Sequence, residues 1–186
     1  LKYLMLGTKK MMASEDPAHT LREVFDENFY PFLNVDHDAI QPCIEEFYDD
    51  VFPTIKEVTK PMPGAVEFVE WAFAAGHRVV IATSPYFPRK ATYHRLRWAG
   101  LPPEKYPFAL VSTYENFHFT KPHPAYFAEV LGRLGWPDGP ILMVGNDVEQ
   151  DLIPAATLGL ATYHSLDITP SANGFASTGR GRLAEL

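Results

Sequence analysis

The stretch that decides the fold is ILMVGNDVEQD, which occupies residues 141–151. Four apolar residues followed by Gly145 predict a buried strand that ends in a tight turn. A helical pattern then begins at Val148 and continues to Leu158. Asp147 and Asp151 lie four residues apart, so both carboxylates can lie on one side of the first helical turn. The stretch therefore predicts a strand, an acidic loop and a helix in succession.

The same alternation of strand and helix recurs on both sides of this stretch. Further strands are predicted over residues 77–83, 108–112 and 160–164, and further helices over residues 63–76, 88–99 and 124–134. Glycines follow these helices directly, as is typical of helix ends. Strands that alternate with helices of this length indicate right-handed βαβ units. We therefore expect an α/β fold with a parallel sheet.

Three segments of the chain differ in character. Residues 1–60 have helical spacing and contain no convincing buried strand, and Asp38 is expected to cap a helix that extends to Val51 before Pro53 ends it. Residues 61–165 carry the α/β alternation. Residues 166–186 are rich in Gly, Ser and Thr, which predicts a poorly ordered tail with a short helix at its end.

Composition excludes several classes of protein. The chain has 186 residues, 46% of them hydrophobic, and a formal net charge of −7. This composition argues against intrinsic disorder, and the negative charge argues against a nucleic-acid or anionic-membrane partner. No apolar run approaches the roughly 20 residues of a membrane-spanning helix. The single cysteine, Cys43, allows no internal disulfide, and we expect a cytoplasmic protein.

Polar residues follow three of the predicted strands. Thr83 and Ser84 follow the first, Lys121 follows the second, and the Asn146–Asp147 loop follows the third. The carboxyl ends of parallel strands form one edge of the sheet, where ligands bind. Taken alone, each feature has a simpler structural reading: a turn, a solvated lysine and a helix cap. Together they supply a hydroxyl group, a cation and two carboxylates, those of Asp147 and Asp151. Paired carboxylates suit Mg²⁺.

This order of motifs resembles the haloacid dehalogenase (HAD) superfamily. Its motifs II, III and IV are similar to RVVIATSPYFPRKATYHRLRWAGL, VSTYENFHFTKPHPAYF and MVGNDVEQDLIPAATLGL, which lie between residues 78 and 160. The resemblance extends from about Pro61 to His164. It implies a Rossmann-like core with a parallel sheet, and residues 1–60 resemble the helical cap that many members insert between motifs I and II.

The resemblance also implies an activity and a set of site residues. Family phosphatases transfer the phosphoryl group of a small phosphorylated metabolite to an aspartate of motif I, DxDxT, and water then hydrolyses the aspartyl phosphate. By this resemblance Thr83 and Ser84 bind the phosphoryl group, and Lys121 neutralises phosphate and nucleophile. Asp147 binds Mg²⁺, with Asn146 as a possible first ligand, and Asp151 holds a metal-bound water or the lysine. Two alternatives stay open: a haloacid dehalogenase, which needs no metal, and an inactive HAD-like protein.

Motif I itself is not found in these 186 residues. The nearest sequence is Asp36-His37-Asp38, but the residues before it make a poor buried strand, and Ile40 stands where Thr or Val is expected. We therefore expect the sequence to begin inside the cap. The 186-residue chain alone is expected to be inactive and poorly stable, and its oligomeric state is not indicated.

Overall fold

The computed structural model describes residues 1–33, 35–168 and 174–186 of the chain. These residues form two compact units. The first contains Leu1–Lys60, Thr83–Tyr106 and Ser112–Thr120. The second contains Pro61–Ala82, Pro107–Val111 and Lys121–Leu186. The first unit thus includes the predicted cap and also two segments that we expected in the core.

Helices and strands alternate through the second half of the chain, which confirms the predicted α/β fold class. The α-helices are α1 (Lys2–Met12), α2 (Leu21–Phe29), α3 (His37–Glu46), α4 (Ala65–Ala74), α5 (Arg89–Trp98), α6 (Pro124–Arg133) and α7 (Ile153–Thr157). The strands are β1 (Val80–Ile81), β2 (Leu110–Val111), β3 (Leu142–Gly145), β4 (Ala161–Ser165) and β5 (Gly179–Gly181).

The first unit is built from helices whose ends are fixed by local hydrogen bonds. Thr20 and Glu23 form a reciprocal capping box at the start of α2. At the start of α3, Asp36 accepts from the N–H of Asp38, so the cap lies two residues before the predicted Asp38. The helix then changes to a π-helical segment at Phe47–Val51 and a 3₁₀ helix at Phe52–Val58. Pro53 therefore begins a helical segment instead of ending one, because the first turn needs no N–H from it.

The second unit holds the strands, all of which pair in parallel. β1 pairs with β2, and β3, β4 and β5 form a three-stranded sheet in that order. Val80 faces Leu110, and Gly145 faces His164. Among the described residues β1 and β3 are not paired with each other, so the two sheets are separate. Helices α6 and α7 supply the apolar core beside them, with Tyr126 fully buried.

Two details of the second unit differ from the sequence-based expectation. β1 and β2 have two residues each, although the Ala109 N–H also donates to the Val79 carbonyl oxygen at 2.8 Å. The predicted helix over 148–158 is a π-helical segment, Val148–Leu152, followed by α7. Pro154 lacks the N–H that a continuous α-helix would use there.

The C-terminal segment also differs from the expectation. The predicted tail contributes β5 to the sheet, and the expected terminal helix is a 3₁₀ helix, Leu183–Glu185. Within the part of the chain that the structure describes, no helix is both long and apolar enough to cross a lipid bilayer.

Candidate functional site

Lys121 and Asp151 form a buried ion pair in the second unit. The Lys121 Nζ donates to Asp151 Oδ1 at 2.5 Å and to the carbonyl oxygen of Ala82 at 3.0 Å. Each of the two charged side chains is only 9% exposed. An isolated buried charge is costly, so each member of the pair offsets the cost of burying the other. The pair therefore fixes an ammonium group just beyond β1.

Gly145 makes room for this pair. It is the last residue of β3, and a Cβ atom built on it would lie 2.5 Å from Asp151 Oδ2 and 2.6 Å from Asp151 Cβ. Any side chain here would displace the aspartate from Lys121. The glycine that the sequence analysis used to end a strand is thus also a steric requirement of the site.

Asp147 caps the helical segment that follows β3. Its Oδ1 accepts from the backbone N–H groups of Glu149, at 3.0 Å, and Gln150, at 2.9 Å. Its own N–H donates to Asp151 Oδ2 at 3.3 Å. The structure therefore contains the helix cap that was the simpler reading of this residue. Since only Oδ1 is used, Oδ2 accepts no hydrogen bond from the described residues.

Asn146 and the second oxygen of Asp147 can serve a metal ion. The Asn146 side chain is half-buried and makes no hydrogen bond to any residue that the structure describes. Carboxylate and amide oxygens are the donors that Mg²⁺ uses, and Mg²⁺ keeps several of its waters. Residues 1–33, 35–168 and 174–186 contain no group of three or more His, Cys, Asp or Glu that could hold a metal ion. The donors present thus fit an open Mg²⁺ site that relies on water, and do not form a closed cage of protein ligands.

Thr83 and Ser84 belong to the first unit. The Thr83 carbonyl oxygen accepts a hydrogen bond from the Ser112 hydroxyl at 2.6 Å, and the Ser84 carbonyl accepts from the Tyr86 N–H at 2.9 Å. Both residues are half-buried. The structure brings together Lys121, Asn146, Asp147 and Asp151, all in the second unit, and places the two hydroxyl residues in the other.

The sequence Asp36-His37-Asp38 forms the start of a helix. Asp36 caps α3, and the Asp38 side chain is 92% exposed and contacts the His37 ring at 3.0 Å. An exposed carboxylate in a first helical turn is an ordinary helix-stabilising residue. These residues do not follow a strand, so the structure gives them no resemblance to motif I.

Sequence reasoning missed one buried polar group near this site. His164 is 8% exposed, and its Nε2 atom has no hydrogen-bond partner among the residues that the structure describes. It lies in β4 opposite Gly145, so it belongs to the same carboxyl end of the sheet as Asn146 and Asp147. A single histidine in a strand carries no sequence signal for such a position, because its depth depends on how the strands pair.

Solved structures share this fold at low sequence identity. A HAD phosphatase from Thermococcus onnurineus is 18% identical, with 99% of this chain and 84% of that chain covered and a TM-score of 0.61. The HAD-hydrolase YfnB of Bacillus subtilis, termed putative and bound to magnesium, is 22% identical, with 99% and 78% covered and a TM-score of 0.58.

A dehalogenase has the same degree of similarity. The 2-haloacid dehalogenase of Pseudomonas syringae pv. Tomato DC3000 is 18% identical, with 100% of this chain and 78% of that chain covered and a TM-score of 0.59. A comparison with curated proteins found no match to the chain. At such identities these similarities establish the fold, and they do not choose between the two reactions.

A family model decides the membership. The model described as haloacid dehalogenase-like hydrolase matches residues 4–159, which is most of the chain. The matched span includes Thr83, Lys121 and Asp147, the residues on which the resemblance of the three motifs depends. The chain therefore belongs to the haloacid dehalogenase-like hydrolases.

Proposed function

We propose that the protein is a Mg²⁺-dependent phosphatase that acts on a small phosphorylated metabolite. The observation that carries the proposal is the buried Lys121–Asp151 pair, with the free oxygens of Asn146 and Asp147 at the neighbouring end of β3. A fixed cation beside a metal-binding carboxylate suits a phosphoryl group, whose transfer depends on positioning and charge neutralisation.

Lys121 would act through its charge. Asp151 and the Ala82 carbonyl hold its ammonium in one orientation, so it needs little reorganisation when an anion arrives. Its strongest partner is a carboxylate, and a second negatively charged group, such as a phosphoryl oxygen, can share a cation that is already in place. The arrangement fits the neutralising role that the resemblance implies for Lys121.

Asp147 and Asn146 would hold the metal ion. Asp147 Oδ2 and the Asn146 amide oxygen are the donors that the described residues leave open. Mg²⁺ bound there would reduce the negative charge of the phosphoryl oxygens. The magnesium reported for the B. subtilis structure supports this part of the proposal.

Thr83 and Ser84 would bind the phosphoryl group by the family resemblance. The nucleophile of the resembled mechanism is the first aspartate of DxDxT, a sequence that these 186 residues do not contain. The chain therefore contributes the cation, the metal ligands and the hydroxyl groups to a reaction through an aspartyl phosphate. We place the protein in the cytoplasm and assign it no nucleic-acid partner, on its single cysteine and its net charge of −7.

The activity can be tested with an aryl phosphate. The protein should hydrolyse p-nitrophenyl phosphate in the presence of Mg²⁺, and EDTA should abolish this activity. Mg²⁺ affinity measured by calorimetry should fall in Asp147→Asn and stay unchanged in Asp138→Asn, an exposed position in the same unit. Unchanged affinity in Asp147→Asn would refute the metal assignment.

The same assays separate the two alternatives. A haloacid dehalogenase would release chloride from 2-chloropropionate with EDTA present and would leave the aryl phosphate intact. The dehalogenase fold from P. syringae is the observation that keeps this reading open. A protein that releases neither phosphate nor chloride from these substrates would agree with the inactive HAD-like reading.

A further inference from the structure

The first unit contains a cavity to which the proposed phosphatase gives no role. It has a volume of about 590 Å³ and is lined by α2, α3 with its π-helical extension, α5, and residues 114–115. Cavities of roughly 300–1,000 Å³ are the usual size for small-molecule sites. None of Thr83, Ser84, Lys121, Asp147 or Asp151 lines it.

Three of the four tyrosines in the lining give the cavity unused hydrogen-bonding groups. Tyr30, Tyr48 and Tyr114 line it, and all three are half-buried. Their hydroxyl groups make no hydrogen bond to any described residue. Ring contacts hold two of the side chains in place: the ring centroids of Tyr30 and His37 are 4.5 Å apart, and those of Tyr48 and Phe52 are 5.4 Å apart. Burial raises the pKa of each of these tyrosines. Each therefore offers a protonated hydroxyl, which can donate to a ligand oxygen and accept from a ligand hydroxyl.

The acidic groups at the cavity already have partners. Glu45 accepts from Lys90 at 2.5 Å. Both carboxylate oxygens of Glu115 accept the Arg89 backbone N–H, at 2.8 and 3.0 Å, and so cap α5. Neither carboxylate is left to attract a cationic ligand without competition.

One of the four basic groups in the lining, Arg89, has no ion-pair partner among the described residues. Lys90 is neutralised by Glu45 and Asp49, and Arg97 pairs with Glu104. The Arg89 side chain, in contrast, makes no ion pair within the described residues, and the Arg22 Nε contacts a carboxylate only at 3.4 Å.

We propose that this cavity binds a small anion that also carries several hydroxyl groups. Arg89 and Arg22 would bind the charged group of this ligand, and the tyrosine hydroxyls would form hydrogen bonds with its hydroxyl groups. A neutral polyol would leave the unpaired guanidinium unused. A bare inorganic anion would fill little of the volume and leave the tyrosine hydroxyls without partners. The charged group is a phosphate or a carboxylate, since both form hydrogen bonds with guanidinium groups.

Calorimetry with four probes tests the ligand class. The full chain is titrated in EDTA, without added metal, with sorbitol 6-phosphate, gluconate, inorganic phosphate and sorbitol. At least one of the first two should bind at least about tenfold more tightly than both inorganic phosphate and sorbitol, because it uses both sets of groups. The tighter of the two identifies the charged group. If neither binds below about 10 mM, or if inorganic phosphate binds equally well, the proposal is wrong.

Matched variants locate the binding in this cavity. Tyr114→Phe removes one hydroxyl and should weaken binding about 3- to 10-fold, and Arg89→Gln should weaken it about tenfold or more. Tyr3→Phe and Arg95→Gln, in the same unit but outside the lining, should leave the affinity unchanged. Unchanged binding in both Tyr114→Phe and Arg89→Gln would overturn the proposal.

One further variant separates this site from the proposed phosphatase. Asp147→Asn, which is expected to disable the metal site, should bind the hydroxylated anion as the wild type does. Because the titration needs neither metal nor turnover, its result stands even if the phosphatase proposal fails. A loss of binding in Asp147→Asn would place the anion at the other site and contradict the inference.

Discussion

Among single residues, Lys121 and Asp151 make the interaction on which the candidate site depends most. Both are 9% exposed and lie 2.5 Å apart. We predict that Lys121→Met or Asp151→Leu alone lowers the free energy of unfolding by about 3–5 kcal/mol, because each leaves a buried charge without its partner. The double variant should recover most of this loss. Urea unfolding of all four proteins measures these changes, and additive losses in the double variant would show that the two residues do not interact.

The sequence was informative about these residues in different degrees. The four-residue spacing of Asp147 and Asp151 correctly indicated two carboxylates at the start of a helical segment. It left open whether Asp151 holds a metal-bound water or the lysine, and the structure places it on Lys121. That contact joins residues 30 positions apart, so it depends on how the segments that follow β2 and β3 are arranged and not on any local pattern. Gly145 could be predicted as a turn residue but not as the space for Asp151, for the same reason.

At the level of elements, α2 contains a carboxyl group, that of Asp26, whose ionisation is opposed by its burial in the fold. Burial raises the pKa of Asp26 above its ordinary value of 3.8, and the nearby Arg22 only partly offsets this effect. A carboxyl group with a raised pKa in the folded state contributes stability that is complete below the unfolded pKa. That contribution is lost as the pH rises through the folded pKa.

Asp26→Asn should therefore change stability in a pH-dependent way. The melting temperature of the variant, relative to the wild type, should be higher at pH 7 than at pH 3, because the variant has no charge to bury at neutral pH. Asp50→Asn, at an exposed position in the same unit, is the control and should show a smaller difference. A relative melting temperature of Asp26→Asn that is equal at the two pH values would contradict the burial argument.

Elements with strong periodicity were predicted best. The helices expected over 88–99 and 124–134 are α5 and α6 within one residue at each end, and the strands expected over 141–144 and 160–164 are β3 and β4. β5 was missed because residues 179–181 are Gly-Arg-Gly, which has no apolar alternation, and pairing with β4 alone makes it a strand. The π-helical segment at Val148–Leu152 was missed because its register depends on the Asp147 cap and on Pro154.

At the level of the whole molecule, the α/β fold class and the family were predictable, and the cap over residues 1–60 and the core over residues 61–165 stay predictions. The motifs that carry the family resemblance are local strings at strand ends, so they can be recognised without a structure. The assignment of residues 83–106 and 112–120 to the first unit follows from packing across the chain, which no local pattern encodes. The cavity could not be predicted from the sequence either, because its tyrosines Tyr30, Tyr48 and Tyr114 come from three separate segments.

The central claim is that a lysine fixed by a buried aspartate neutralises charge during phosphoryl transfer. The most direct test is the kcat of Lys121→Met in the natural protein, with p-nitrophenyl phosphate and saturating Mg²⁺. Lys60→Met, at an exposed position, is the matched control, and near-UV circular dichroism establishes that each variant is folded. Lys121→Arg keeps the charge and serves as a second variant if Lys121→Met does not fold.

We predict that kcat falls about 100-fold or more in Lys121→Met, the scale expected for loss of one charge-stabilising group. Lys121→Arg should retain part of the activity, and Lys60→Met should match the wild type. A folded Lys121→Met protein with wild-type kcat would contradict the account, and so would a folded Lys121→Arg protein that is no more active than Lys121→Met.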